Sequence, residues 1–217
     1  MIKHLVFDLD GTLADTLPEI HATADALAVA RGFRRPTLEE TRHGIGYGGR
    51  TLLCNLFGFQ KNSPELQAAY DEFLGFYDEI SGTTATLYPG VDQFLREWRG
   101  GLSIITNKPG KPAAKVIRFT GLDAHPWSVV IHGESFPKKK PDALPFTECF
   151  QRVGVAPEEV LVIGDSDADV LGAQACGAKS LAVSFGYMNL PELEALRPDG
   201  ILHRYEDLPG EIRRLSR

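Results

Sequence analysis

The stretch Leu5-Val6-Phe7-Asp8-Leu9-Asp10-Gly11-Thr12-Leu13 constrains this chain more than any other, because it sets two carboxylates directly after an apolar run. Leu5, Val6 and Phe7 have the character of a central parallel strand, and Gly11-Thr12 supplies the turn that ends it. Asp8 and Asp10 would point the same way if the strand continued, whereas a turn would separate them. Two buried carboxylates about 4 Å apart repel by about 4 kcal/mol at an effective dielectric of about 20. Unless both are solvated at a bare strand end, a positive group belongs beside them.

The rest of the chain supplies the frame for that strand. After Thr12 the spacing becomes helical: Leu17, Ile20, Ala24, Leu27 and Ala28 recur every three or four residues until Gly32. Pro36-Thr37 opens a short second helix, and Gly44, Gly46, Gly48 and Gly49 mark a loop before a third from about Arg50 to Leu56. Ser63-Pro64-Glu65 opens a fourth, with Leu66, Tyr70, Phe73, Tyr77 and Ile80 on one face. No strand pattern occurs between residues 16 and 85, so this block is expected to be a helical insertion, the cap, with residues 1–15 and 86–217 forming the core.

From Tyr88 onward strands and helices alternate. Strands are expected at Leu102 to Ile105, Val129 to Ile131, Val160 to Ile163, Ser180 to Val183 and Gly200 to Leu202. Helices are expected at Val91 to Trp98, Lys111 to Phe119, Ala143 to Val153 and Val170 to Cys176. This rhythm specifies an α/β core with a doubly wound parallel sheet, in which ligands bind outside the carboxyl ends of the strands.

Bulk properties exclude several functions. A chain of 217 residues with 43% hydrophobic content can bury a sizeable core. A net charge of -6, with no basic stripe beyond Lys138-Lys139-Lys140 and the Arg-rich C-terminus, argues against nucleic acid or an anionic membrane as partner. Cys54, Cys149 and Cys176 are isolated, which fits a reducing cytoplasmic setting better than a disulfide framework or a zinc site. No signal core and no membrane-spanning run of about 18 apolar residues is evident. Nothing in the sequence specifies an oligomeric state.

Asp8, Asp10, Asp165 and Asp169, each after an apolar strand, suit a hard divalent cation such as Mg2+, which keeps waters for a substrate phosphate. Thr106 ends another strand, and the Lys138 to Lys140 run adds positive charge. A phosphoryl group approached by an anion needs a metal, an ammonium and hydrogen-bond donors on its oxygens, and these residue types supply them.

In order, the Asp8-Leu9-Asp10-Gly11-Thr12-Leu13 segment, Thr106, a lysine before Pro141, and Gly164-Asp165-Ser166 with Asp169 resemble the four motifs of the haloacid dehalogenase superfamily, over the whole chain. The helical block resembles that superfamily's first type of cap. Thr106-Asn107-Lys108-Pro109 and Ser184-Phe185-Gly186-Tyr187 resemble its phosphoglycolate phosphatase branch. The resemblance implies a Mg2+-dependent phosphatase of small phosphate esters, with Asp8 as nucleophile and Asp10 as acid and base. It implies metal ligation by Asp8, the Asp10 carbonyl and Asp165, with Asp169 in the outer shell. Thr106 and the Asn107 amide would bind the transferring group. Lys140 fits the lysine's spacing best, with Lys138 and Lys139 as competitors, and Ala143 departs from the usual KPxPxP pattern.

Asp10 separates this chain from dehalogenases, which have no leaving alcohol to protonate. The only cap lysine, Lys61, sits in a polar loop, which argues against a Schiff-base phosphonate hydrolase. A sugar phosphomutase and a non-catalytic metal- or phosphate-binding protein are the alternatives. Arg50 is expected either to reach a substrate anion from the cap or to be an exposed helix-start arginine. His21 and His43 are read as structural or solvated, Asp167 as a helix cap, Trp98 as core, and Arg213-Arg214 as a solvated helix end.

Overall fold

A computed structural model describes residues 1–216. Its elements in chain order are β1 (His4–Phe7), β2 (Ala14–Asp15), α1 (Leu17–Arg31), α2 (Leu38–Gly44), α3 (Gly49–Phe57), α4 (Pro64–Ile80), β3 (Thr86–Leu87), α5 (Val91–Glu97) and β4 (Gly101–Ile105). There follow α6 (Gly110–Phe119), β5 (Val129–Ile131), α7 (Leu144–Val153), β6 (Val160–Gly164), α8 (Asp167–Cys176), β7 (Lys179–Val183), α9 (Leu190–Ala195), β8 (Gly200–Leu202) and α10 (Leu208–Leu215).

Six strands form one parallel sheet in the order β5-β4-β1-β6-β7-β8. All four residues of β1 are buried, because helices cover both faces of a central parallel strand. One apolar cluster, around Phe7, Leu102, Ile163 and Leu181, fills one face; a second, around Val6, Ile105, Phe146 and Val162, fills the other. Trp98 is half-buried and stacks on Phe94 at the edge of the first cluster.

Helices α1 to α4 build a third cluster of their own, from Ile20, Leu27, Leu53, Leu66, Phe73 and Tyr77 among others. The Ser63 hydroxyl accepts the Leu66 N–H at 3.1 Å and starts α4, while Thr37 and Glu40 form a reciprocal cap on α2. The chain leaves the sheet through β2 and returns through β3, and these two segments pair antiparallel. The fully buried Glu19 ties α1 to the return path: its Oε1 accepts the N–H groups of Thr83, Thr84 and Ala85 at 2.7, 2.9 and 3.0 Å.

Three local expectations change. Helix α8 begins at Asp167 and not Val170, because Ser166 is the last extended residue (φ -136°, ψ 166°). Ser166 is therefore the capping residue, and Asp169 accepts its N–H and hydroxyl at 3.3 and 2.8 Å; Asp167 is already helical. Helix α9 lacks a long periodic face and escaped the sequence reading. Arg213 and Arg214 do lie exposed in the last turn of α10. No helix among the described residues is long and apolar enough to cross a membrane.

Candidate active site

The strand order decides where the polar residues meet. Phe7 pairs with Ile104 of β4 on one side and Ile163 of β6 on the other, so the carboxyl ends of the three strands lie side by side. Asp8, Thr106 and Asp165 follow those ends. The strand stops at Phe7, and Gly11 takes φ +77° in the turn that folds the chain back, with Gly11 N–H on the Ala14 carbonyl at 2.9 Å. This turn sends Asp8 and Asp10 to different partners.

Asp8 Oδ1 lies 2.9 Å from Lys140 Nζ and accepts the Leu9 N–H at 2.7 Å. Lys140 Nζ also reaches Asp169 Oδ1 at 2.6 Å, with only 1% of its side chain exposed. Burial opposes the lysine's charge, but Asp169 and Asp8 beside it raise its pKa above the ordinary value. The competing lysines lie elsewhere: Lys138 pairs with Asp142 at 2.9 Å at the surface, and Lys139 sits half-buried beside Gly48.

Ligand oxygens of Asp8, Asp165 and Asp169 lie within 4.8 Å of one another, all buried. Burial, then repulsion from Asp169 and Asp10, raises the Asp8 pKa to about 7 against the pull of Lys140. Burial and the charges of Asp8 and Asp169 push Asp165 well above the usual carboxylate range. Three acids forced together in this way form a hard oxygen donor set short of positive charge, which fits Mg2+. Asp169 already spends one oxygen on Lys140 and the other on Ser166, which suits an outer position. Asp165 Oδ2 accepts the Tyr187 N–H at 2.7 Å.

The Asp10 carboxylate stands outside that set. Its Oδ1 accepts the Thr16 hydroxyl at 2.6 Å and the Lys108 ammonium at 2.8 Å, which leaves Oδ2 uncommitted. Tyr187 donates its hydroxyl to Asp15 at 3.1 Å and accepts the Thr16 N–H at 2.8 Å, so it links the Asp165 loop to the exit toward the cap. Sequence pattern assigns no site role to Lys108, Thr16, Tyr77 or Tyr187. Lys108 and Tyr187 lie within the motifs quoted above, but neither motif shows that Lys108 bonds Asp10 or that Tyr187 bonds Thr16 beside it.

Thr106 and Asn107 line the same cavity wall as Asp8. The Asn107 side-chain amide donates to the carbonyls of Gly46 and Lys140 at 2.8 and 3.0 Å, tying a cap loop to the lysine's loop. Its backbone N–H has no partner among the described residues. The cap is closed over the sheet edge: Tyr47 donates to Asp167 at 2.6 Å, Arg42 to the Gly186 carbonyl at 3.3 Å, and Lys111 to Asp78 at 2.5 Å. Between cap and core lies a cavity of about 50 Å3. Arg50 does not line it. Its guanidinium bonds Gln67 at 2.6 Å and lies 4.3 Å from the Tyr70 ring centre, because the start of α3 turns it along the cap surface. His21 bonds Thr41 within the cap, and His43 is exposed.

A parallel sheet with aspartates at its switch point, a buried lysine between two of them and a helical lid define a phosphoryl-transfer type of site. The haloacid dehalogenase-like hydrolase family matches residues 2–177 of the chain. A phosphoglycolate phosphatase of Rhodobacter capsulatus is 36% identical over 219 residues, covering 98% of this chain and 97% of its own. That of Chromobacterium violaceum is 33% identical over 201 residues, covering 89% and 90%. The structure of a haloacid dehalogenase-like hydrolase from Bacteroides fragilis superposes with TM-score 0.89 at 25% identity, covering 96% of this chain and all of the other. The chain belongs to the haloacid dehalogenase-like hydrolases. Within them it is a phosphoric monoester hydrolase.

Proposed function

We propose that the protein hydrolyses a small phosphomonoester of the 2-phosphoglycolate kind through an aspartyl-phosphate on Asp8. The observation that carries this reading is the separation of the two aspartates. Asp8 is gathered with Lys140 and the metal-type acids, while Asp10 stands apart with one oxygen free. Relatives covering nearly the whole chain bear the name phosphoglycolate phosphatase, which supports the substrate class.

The chemistry divides between the two groups. An Asp8 carboxylate oxygen attacks phosphorus, the bond from phosphorus to the ester oxygen breaks, and Asp10 Oδ2 gives its proton to the departing alcohol. Asp10, now a carboxylate, takes a proton from water as that water attacks the phosphoryl group, releasing phosphate and restoring Asp8. Asp8, Asp165, the Asp10 carbonyl and, further out, Asp169 would hold Mg2+, which supplies positive charge for the phosphoryl oxygens. Lys140 neutralises Asp8 and Asp169, and Thr106 with the Asn107 N–H donates to the transferred group. The closed cap keeps bulk water from the acyl phosphate.

The test is phosphate release from a panel of esters, including 2-phosphoglycolate and hexose phosphates, with Mg2+ or EDTA. Mg2+-dependent release that disappears in Asp8→Asn is expected. Interconversion of sugar phosphates with little release would replace this reading with a phosphomutase, and silence toward every ester with a binding role.

A further inference from the structure

The part of the cavity that must receive the leaving group is walled on the cap side by Ile20, Ile45, Leu52 and Phe73. Such a wall offers nothing to the hydroxyls of a sugar. It is interrupted where Lys108 from the core meets Tyr77 from α4. The Lys108 side chain is 1% exposed, and its ammonium lies 4.8 Å from the Tyr77 ring centre. Of its three N–H groups, the described residues supply acceptors for two, Asp10 Oδ1 at 2.8 Å and the Tyr77 hydroxyl. Lys140 serves Asp8 at the phosphoryl end, and Lys108 reaches the cavity beside Asp10.

A second feature faces the same space. Gly48, at φ +84°, and Gly49 line the cavity where α3 begins. The first backbone bond there runs from Leu52 N–H to the Gly48 carbonyl at 3.1 Å, so the three preceding N–H groups carry the positive end of the helix without helical partners.

We propose that Lys108 is a specificity-determining residue whose remaining N–H, backed by the start of α3, receives a carboxylate carried by the leaving group one or two carbons from the ester oxygen. The inference rests on the phosphatase reading above and deepens it: the preferred substrate is a short, anionic alkyl phosphate. A polyol phosphate meets an apolar wall.

The test compares 2-phosphoglycolate with 2-hydroxyethyl phosphate, in which CH2OH replaces the carboxylate, using Mg2+-loaded wild type and Lys108→Met. Wild type is expected to favour the carboxylate ester in kcat/KM by about 10- to 100-fold, as for a hydrogen bond to a charged group. In Lys108→Met the ratio falls to near one. Loss of the Asp10 partner slows both esters alike and cancels in the ratio, so a purely structural lysine would leave it unchanged. Should the variant not fold, inhibition of wild type decides: glycolate must compete with substrate at concentrations at least about tenfold below ethylene glycol. Equal turnover of the two esters by wild type, a ratio that survives in Lys108→Met, or equal inhibition overturns the inference and leaves the phosphatase standing. Wild type inert toward every ester removes the phosphatase reading itself.

Discussion

Lys140 Nζ stands 2.9 Å from Asp8 Oδ1 and 2.6 Å from Asp169 Oδ1, so a single ammonium holds together two carboxylates from opposite ends of the sequence. Removing it leaves two buried anions in mutual repulsion and takes a donor from the phosphoryl site.

Lys140→Met is therefore expected to lower kcat by about 10²- to 10³-fold, the usual cost of one such donor. Lys138→Ala and Lys139→Ala should stay within about threefold of wild type, since neither reaches an aspartate of the site. Steady-state phosphate release from the three variants measures this directly, and a larger loss in either neighbour would reassign the lysine.

Asp8 makes metal-free stability depend on pH in a defined direction. Its pKa is about 7 in the folded protein, well above the ordinary carboxylate value of the unfolded chain, so between these values the folded state binds more protons than the unfolded one. Stability from this group falls as pH rises through that window. In EDTA, Asp8→Asn should thus gain Tm relative to wild type between about pH 4 and pH 7, and Mg2+ should restore wild type most at the alkaline end. Thermal unfolding at several pH values, with and without Mg2+, gives the sign.

Gly186 lies against the metal-type cluster. A Cβ there would come within 2.2 Å of Asp165 Cβ and 2.6 Å of the Gly11 carbonyl, so Gly186→Ala must displace Asp165. The Mg2+ concentration for half-maximal rate should rise by about 10- to 100-fold, as when the support of a ligand is lost. Gly75→Ala, with nothing within 4 Å of the added carbon, is the control and should leave the Mg2+ dependence alone.

Arg50 is committed to Gln67 and the face of Tyr70 at the cap surface. Arg50→Ala should leave KM for each good substrate within about twofold and cost at most about 1 kcal/mol of stability. A KM increase of tenfold or more would show that the guanidinium swings into the cavity during turnover.

Much of this architecture was legible because local patterns encode burial. Leu5 to Phe7, Leu102 to Ile105 and Val160 to Ile163 announce buried parallel strands by their unbroken apolar character, and the 3.6-residue spacing from Leu66 to Tyr77 announces α4. Gly11 and the acids that follow the strand ends could be read in the same way, since a turn at a strand's carboxyl end is where polar groups escape the sheet. Sequence pattern leaves the start of α8 open by one residue, because Asp167 and Ser166 are both good capping residues. Only the backbone decides which of them is the last extended one.

Partnership across the chain was decided by the tertiary structure alone. The order β5-β4-β1-β6-β7-β8 sets Asp8, Thr106 and Asp165 side by side, although 98 residues separate Asp8 from Thr106. It chooses Lys140 from three consecutive lysines, turns Arg50 away from the cavity, and brings Lys108 to Asp10 beneath Tyr77. A residue's type and its neighbours in sequence determine which element it joins and whether that element is buried. Which distant charge it meets depends on strand order and on how the cap closes, and those follow from the packing of the whole chain.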